Sequence, residues 1–276
     1  MNKKIGFFIC LMILLCVCLT GCGPQSEDGV TPYTRYVESH DGVQVAVPEH
    51  PKRILSLSSA FDTILLGLIE PERLAGINKL STYEEYYGLR HMGIATVVVP
   101  TPSTVDGVIQ NVMEIAHIIG EDEKGSLYNR KIHREIDEIK HLAESIPLEQ
   151  RKTVLFVSSM DGYTGTGSLF DDMCHYMSIY NAPDRIGLPP RIPFGEERVL
   201  AMNPDYIFIP SYKGMDKNLA DRYLKNPAFQ NLPAIKENRV KPLPAAYLYT
   251  MNQHIGEAML AIMHTVYPQL ERNSHD

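Results

Sequence analysis

The helical stripe from Lys124 to Ala143 constrains this chain more than any other feature. Leu127, Tyr128, Ile132, Ile136, Ile139 and Leu142 recur at spacings of three and four, while Glu, Lys and Arg fill the other side and Pro147 ends the run. A helix of about 20 residues is roughly 30 Å long, enough to reach across a small domain. On both sides of it, short β-prone runs alternate with helical ones, which is the pattern of α/β sheets. The sequence therefore predicts two α/β lobes joined by one long helix.

Ahead of that helix, Tyr36 to Val47 alternates around His40-Asp41-Gly42 and predicts a hairpin with Val43, Val45 and Val47 on one face. Arg53 to Leu57 reads as a short buried strand. It runs through Ser58-Ser59 into a helix with apolar Ile64, Leu65, Leu68 and Ile69. Such a junction leaves free amides at the C-terminal end of a strand, where α/β sheets tend to hold ligands. Ser59 and Asp62 read equally well as a plain capping pair. Ile94 to Val99 predicts another strand, and Ser103 caps a helix that runs from Val105 to Gly120.

Beyond the connector, Thr153 to Ser158 restarts a strand pattern. Asp161 to Gly167 is a glycine-rich loop, and Ser168 caps a helix containing Leu169, Phe170, Met173 and Met177. Tyr206 to Ile209 is a strand, and His254 to Tyr267 an amphipathic helix stopped by Pro268.

The first residues carry a different signal. Lys3 and Lys4 precede a run in which every residue from Ile5 to Leu19 but Gly6 is apolar, followed by Leu19-Thr20-Gly21-Cys22. That run is short for a membrane span, which needs about 20 apolar residues, and fits an export signal. Its end resembles a bacterial lipobox, which implies cleavage before Cys22 and acylation (palmitate or a similar chain) of its thiol. Cys10, Cys16 and Cys18 would leave with the signal, so Cys174 would be the lone thiol of the body and a small core residue. A single cysteine permits neither an internal disulfide nor a cysteine zinc cluster. Without Lys3 and Lys4 the 26 Lys+Arg become 24 against 33 Asp+Glu, a net charge of −9. That balance disfavours nucleic acid, whose phosphates demand a basic face. Gly23 to Thr34 reads as a flexible tether.

No motif for catalysis stands out. The glycine loop lacks a P-loop ending, and neither Gly-x-Ser-x-Gly nor His-Glu-x-x-His occurs. His117, His133, His254 and His264 are scattered along helical patterns, so the chain is read as not an enzyme. Fifteen tyrosines with no tryptophan supply rings with polar tips. Tyr83, Tyr86 and Tyr87 cluster after the first strand–helix unit, and Tyr163, Tyr212, Tyr247 and Tyr249 fall near strand ends. Glycines beside Tyr163 would let backbone approach a bulky ligand.

Three stretches carry a family resemblance. These are Pro51-Lys52-Arg53-Ile54-Leu55-Ser56-Leu57-Ser58 continuing to Leu74-Ala75-Gly76-Ile77, then Glu197 to Phe208 with its Asn203-Pro204-Asp205, and Asn226-Pro227-Ala228-Phe229 through Arg239-Val240. In this order they resemble the substrate-binding proteins of ABC transporters for iron-siderophore, haem and cobalamin. The resemblance implies two lobes pinned by one helix, a ligand in the cleft between them, and a glutamate on each lobe that docks to arginines of the permease dimer. Glu197 falls at the C-terminal docking position, with Glu196 beside it. Between Ile77 and Leu89 the family has a further helix and strand with the first docking glutamate. Here only Asn78 to Gly88 intervene, so the N-terminal lobe is expected to lack one βα unit. Glu84 and Glu85 stand in that gap, and spacing singles out neither.

The resulting expectation divides the chain into a signal (1–21), a tether (22–34), an N-terminal lobe (35–122), a linking helix (123–146) and a C-terminal lobe (147–276). It describes a lipoprotein on the cell membrane, facing the periplasm or exterior, that delivers a metal chelate to an ABC permease and its ATPase. Ferric siderophore is the first choice, haem the second and cobalamin the third. No resident cofactor is expected, since the ligand itself carries iron or cobalt. Ser58, Ser59 and Tyr83 would line the cleft from the first lobe. Tyr163, Arg191, Tyr212 and Tyr247 would line it from the second, Arg191 opposing an anionic ligand, with Met92 and Met160 as further iron ligands. The alternative is a surface scaffold that keeps the fold without transport.

Overall fold

The computed structural model describes residues 33–76, 95, 97–157, 164–190, 192–211 and 217–272. The expected signal, Cys22 and most of the tether lie outside the described residues, as does 77–94, where the missing βα unit was expected.

The chain enters through an antiparallel hairpin, β1 (Tyr33–Glu38) and β2 (Gln44–Pro48). Gly42 supplies the left-handed turn at φ 79°, as Asp-Gly hairpins require. Val37, Val45 and Val47 pack on Val97 and Ile118, whereas Val43 is exposed because it precedes the paired strand. Next, β3 (Ile54–Leu55) pairs in parallel with β4 (Leu74–Gly76), and α1 (Ser59–Leu68) connects them. Only two residues of the expected strand pair, and Leu55 is exposed rather than buried.

Val97 to Val99 are not a strand. Val98 exchanges its backbone bonds with the hairpin turn instead, accepting from the His40 amide at 3.2 Å and donating to Ser39 Oγ at 3.0 Å. Pro100 then removes the next donor. The following helix, α2 (Val105–Ile119), is capped by Thr104 rather than Ser103, through an Oγ1 that accepts from the Gly107 amide at 3.0 Å. Its far end stops at Gly120, left-handed at φ 76°. Arg35 from β1 donates to the carbonyls of His117 and Ile118, and Arg73 to that of Ile119. Two guanidinium groups thus satisfy carbonyls that a helix end leaves unpaired, and their charge suits that end of the dipole. Arg73 also pairs with Glu121. Burial raises the Glu121 carboxyl, but hydrogen bonds and charge from Arg73 and Lys124 outweigh it and hold it below the usual carboxylate range.

The long helix α3 (Asp122–Glu144) buries Ile132, Ile136, Ile139 and Ala143 against α2 and its later neighbours. Leu127 is exposed, contrary to the stripe. The first turns meet α2 through Gly125, which sits against Ala116, and meet α1 through Tyr128, whose hydroxyl donates to the Gly67 carbonyl at 3.0 Å.

In the second lobe, β5 (Thr153–Phe156), β6 (Tyr180–Asn181), β7 (Tyr206–Ser211) and β8 (Val240–Pro244) form one parallel sheet in the order β6-β5-β7-β8. The connecting helices are α4 (Leu169–Tyr176), α5 (Glu196–Met202), α6 (Lys217–Leu224) and α7 (Pro233–Lys236), and α8 (Ala245–Leu248), α9 (Ile255–Val266) and α10 (Gln269–Arg272) follow β8. Alternate residues of the central strands serve two cores. Leu155, Ile207 and Ile209 face α5 and α7. Val154, Phe156 and Phe208 face a larger core that continues through α2, α3, α4 and α9 to Ile64 and Leu68 of α1. Cys174 is part of it, and burial pushes its thiol well above the ordinary range. The two lobes therefore have separate sheets and share one helical core.

Tyr267, just after α9, closes this lobe. Its hydroxyl donates to the Ser178 carbonyl at 2.8 Å and accepts from the Lys152 amide at 3.0 Å. Burial, the largest influence, pushes its hydroxyl up to about 12. A free tyrosine ionises near 10, so the unfolded chain loses this proton first. The contribution is intact below pH about 10 and fades as pH rises toward about 12. Tyr267→Phe strands one buried donor and one acceptor and should cost about 1–3 kcal/mol in urea unfolding at pH 7, with the gap from wild type narrowing at alkaline pH. An unchanged urea midpoint would show that these bonds do not hold the lobe.

Candidate functional site

In a parallel sheet all strands end on one edge, and each following helix begins there. That edge is where the amides of loops and helix starts are free. Here β3 runs into Ser56-Leu57-Ser58, β5 into Val157, β7 into Ser211, and β8 into α8. The candidate site is the seam between the segments that leave these ends, where Gln253, beyond β8 and α8, bonds to Thr63 of α1, which follows β3.

On the first-lobe side, Ser58 is the N-cap of α1, but its side chain makes no capping bond, and Ser59 is already the first helical residue. The N-cap is therefore Ser58 rather than the expected Ser59. Ser56 Oγ instead donates to the Ser58 carbonyl at 3.0 Å and holds the junction in shape. The Ser58 hydroxyl is left free of helix duty.

On the second-lobe side, a buried network fixes the glycine loop. Asp171 Oδ2 accepts from the Gly167 amide at 2.8 Å, and its Oδ1 accepts from Asn181 Nδ2 at 2.8 Å. Asn181 also donates to the Thr164 carbonyl, and the Thr164 hydroxyl donates to the Phe156 carbonyl, both at 2.9 Å. Ser168 caps α4 by accepting from the Asp171 amide. At Gly165 the close approach is to the protein's own backbone, since a Cβ there would lie 2.3 Å from the Pro189 carbonyl carbon. The described part of the loop is thus a packing device. Phe156 anchors the next wall through edge contacts with Phe170 and Tyr249, each at 5.1 Å.

Two bonds tie the lobes to each other and a third ties the second lobe to the linking helix. Gln253 Nε2 donates to the Thr63 carbonyl of α1 at 2.8 Å. Asp172 of α4 accepts from the Val105 amide at 2.7 Å, setting a carboxylate on the N-terminus of α2. Lys131 of α3 pairs with Glu257 of α9, which also bonds His254. The Lys131 bond is the largest influence on the Glu257 carboxyl and holds it below the usual range against burial.

Of the site residues expected from sequence, Ser58 and Tyr247 both stand at strand ends on this edge, Tyr247 exposed on α8. The side chain of Ser59 is not described. Cys22, Tyr83, Tyr163, Arg191 and Tyr212 lie outside the described residues, as do Met92 and Met160. Glu197 is exposed in the first turn of α5. Sequence reading overlooked Thr250 and Gln253, both buried at the entry to α9. Their signal was faint, because Thr250-Met251-Asn252-Gln253-His254 reads as an ordinary polar turn just ahead of a helix. Among the described residues no group of three His, Cys, Asp or Glu could hold a metal. No described helix is long and apolar enough to cross a membrane.

The periplasmic binding protein family profile matches residues 65–247, about two thirds of the chain, and the protein belongs to that family. No curated protein sequence matches it significantly. Among solved structures it is similar to the periplasmic heme-binding protein RhuT from Roseiflexus sp. RS-1, with 20% identity and a TM-score of 0.69 over 79% of this chain and 99% of that one. It is similar to the molybdate-binding protein MolA of Haemophilus influenzae, with 14% identity and a TM-score of 0.74 over 87% and 93%. A possible iron-binding periplasmic solute-binding protein from Staphylococcus epidermidis gives 19% and 0.62 over 78% and 98%. At these identities the likeness shows the fold, two α/β lobes linked by long helices as in class III solute-binding proteins. The chain is thus a binding protein by family, and that family is non-catalytic.

Gly165→Ala tests the loop. A methyl group there must displace the Pro189-Pro190 backbone, and overpacking of this kind costs about 1–3 kcal/mol. A urea midpoint equal to wild type would mean that the loop is not clamped as described.

Proposed function

We propose that the protein is a lipoprotein, cleaved after residue 21 and anchored through an acyl group on Cys22, that captures a metal chelate and passes it to an ABC permease dimer with its ATPase. The observation that carries this reading is the bond from Gln253, in the segment that follows β8 and α8, to Thr63 of α1, which follows β3, so that segments leaving both sheets at their C-terminal ends are joined. A ferric siderophore is the first candidate, haem the second and cobalamin the third. RhuT and the Staphylococcus epidermidis protein are named for haem and iron, which supports an iron-bearing cargo. Tyr83, Tyr163 and Tyr212 would add rings and hydroxyls to the lining, Ser59 a further hydroxyl, and Arg191 a positive charge.

Glu197 is the proposed docking residue of the second lobe. Helix α5 precedes β7, and Glu197 is exposed in its first turn. Glu196 is engaged by Asn226 Nδ2 at 2.7 Å. Among the described residues Glu197 has no ion-pair partner, which leaves its carboxylate available to a permease arginine.

The chain has no tryptophan, so tyrosine emission and ligand absorbance report binding. Ferric siderophores, haem and cobalamin should be titrated in turn. Saturable binding of one of them is expected, and binding of none would remove the receptor reading. Glu197→Arg should leave that affinity within about twofold, because a surface change away from the ligand is nearly neutral, while uptake in cells collapses. Lost affinity would place Glu197 in the cleft instead. Mass spectrometry of the membrane-extracted protein should find Cys22 as the N-terminal residue with acyl chains on it, and an unmodified Cys22 would refute the acyl anchor.

A further inference from the structure

Along the seam, between α1 and the segment that enters α9, lie oxygens that no other group uses. Thr250 and Gln253 are each 2% exposed, and Thr250 Oγ1 and Gln253 Oε1 are buried without a hydrogen-bond partner. Asp62 Oδ1, in the first turn of α1, is in the same condition. Gln253 Nε2 donates to the Thr63 carbonyl at 2.8 Å, which sets the segment against the turn of α1 that holds Asp62. That bond fixes the amide's orientation and leaves Oε1 as an acceptor. The amide also packs close to Gly67, where a Cβ would lie 2.5 Å from Nε2.

A buried oxygen without a partner costs about 1–3 kcal/mol, so native proteins keep few of them and those they keep call for an explanation. Here three are carried by two short segments, one from each lobe, that the Gln253–Thr63 bond joins. A carboxylate and an amide oxygen only accept, and a threonine hydroxyl can accept as well. The stretches 56–63 and 244–254 contain no lysine or arginine, and Asp62 gives them a negative charge. Asp62 is only half-buried, so the group reaches the rim of the seam.

We propose that Asp62, Thr250 and Gln253 form a subsite for hydrogen-bond donors on the periphery of the cargo, foremost a primary ammonium group. The inference rests on the receptor reading above and sharpens it. A chelate whose rim carries N–H or O–H groups matches these oxygens. Haem, whose rim carries two carboxylates, would set like charge beside Asp62.

The test is a titration of the full chain with three probes: a ferric tris-hydroxamate bearing a free primary amine, the same chelate with that amine acetylated, and haem. The amine-bearing chelate should bind about tenfold or more tightly than its acetylated form, as expected for a hydrogen bond to a charged group. Asp62→Asn should abolish that preference and leave the affinity for the acetylated chelate unchanged. The proposal falls if wild type shows no preference, a comparison that needs no variant. It also falls if the preference survives in Asp62→Asn, which would mean that the ammonium group is recognised elsewhere, or if haem binds more tightly than both chelates. Wild type that binds none of the three probes overturns this subsite, and the receptor reading falls with it only if cobalamin and other ferric siderophores also fail to bind, whereas binding without preference overturns the subsite alone.

Discussion

The rest of the structure depends on burial of the isoleucine stripe of α3. A helix of 23 residues with a largely charged outer face gains little stability by itself. It is held by Ile132, Ile136 and Ile139, each worth about 1.5–3 kcal/mol when fully buried, as an upper figure. Those side chains enter a core shared with α2 on one side and with α9 and the β5 face on the other. The same contacts that stabilise the helix therefore join the lobes. A swing that separated them would expose that core, so only small adjustments at the seam are compatible with it.

This arrangement divides the labour within each lobe. The helix-facing sides of the strands are committed to packing, as Val154, Phe156 and Phe208 show. Their C-terminal ends are committed to loops. At that edge, polar groups are spent partly on holding shape: Asp171 and Asn181 fix the start of α4, and Ser56 fixes the start of α1. The groups left over are the Ser58 hydroxyl, Tyr247 and the oxygens beside Gln253. A binding protein needs such a residue of unspent polarity on a stiff frame, since pre-organisation cuts the cost of association.

Much of this was legible in the sequence wherever a period was long or a turn had chemistry of its own. The Asp41-Gly42 hairpin, the stripe of α2 and the Ser168 cap all follow from local rules. Errors came where tertiary partners overruled them. Leu127 fits the stripe of α3, but Gly125 and Tyr128 make the contacts there. Val98 has the branching of a strand residue, yet its partners are a turn amide and a serine hydroxyl. Gly165 looked like room for a ligand and is room for Pro189. Gln253 could not be found from periodicity, because its partner Thr63 lies 190 positions away. Family resemblance supplied the fold and the binding-protein family, but the ligand depends on side chains that such patterns do not fix.

Amide hydrogen exchange on the full chain, with and without a saturating ferric chelate, tests the central claim most directly. Added protection is expected together at 56–63 and 245–254, on opposite sides of the seam, with little change in α3. Protection confined to one of these segments, or appearing only away from both, would contradict a cargo held between the two sheets.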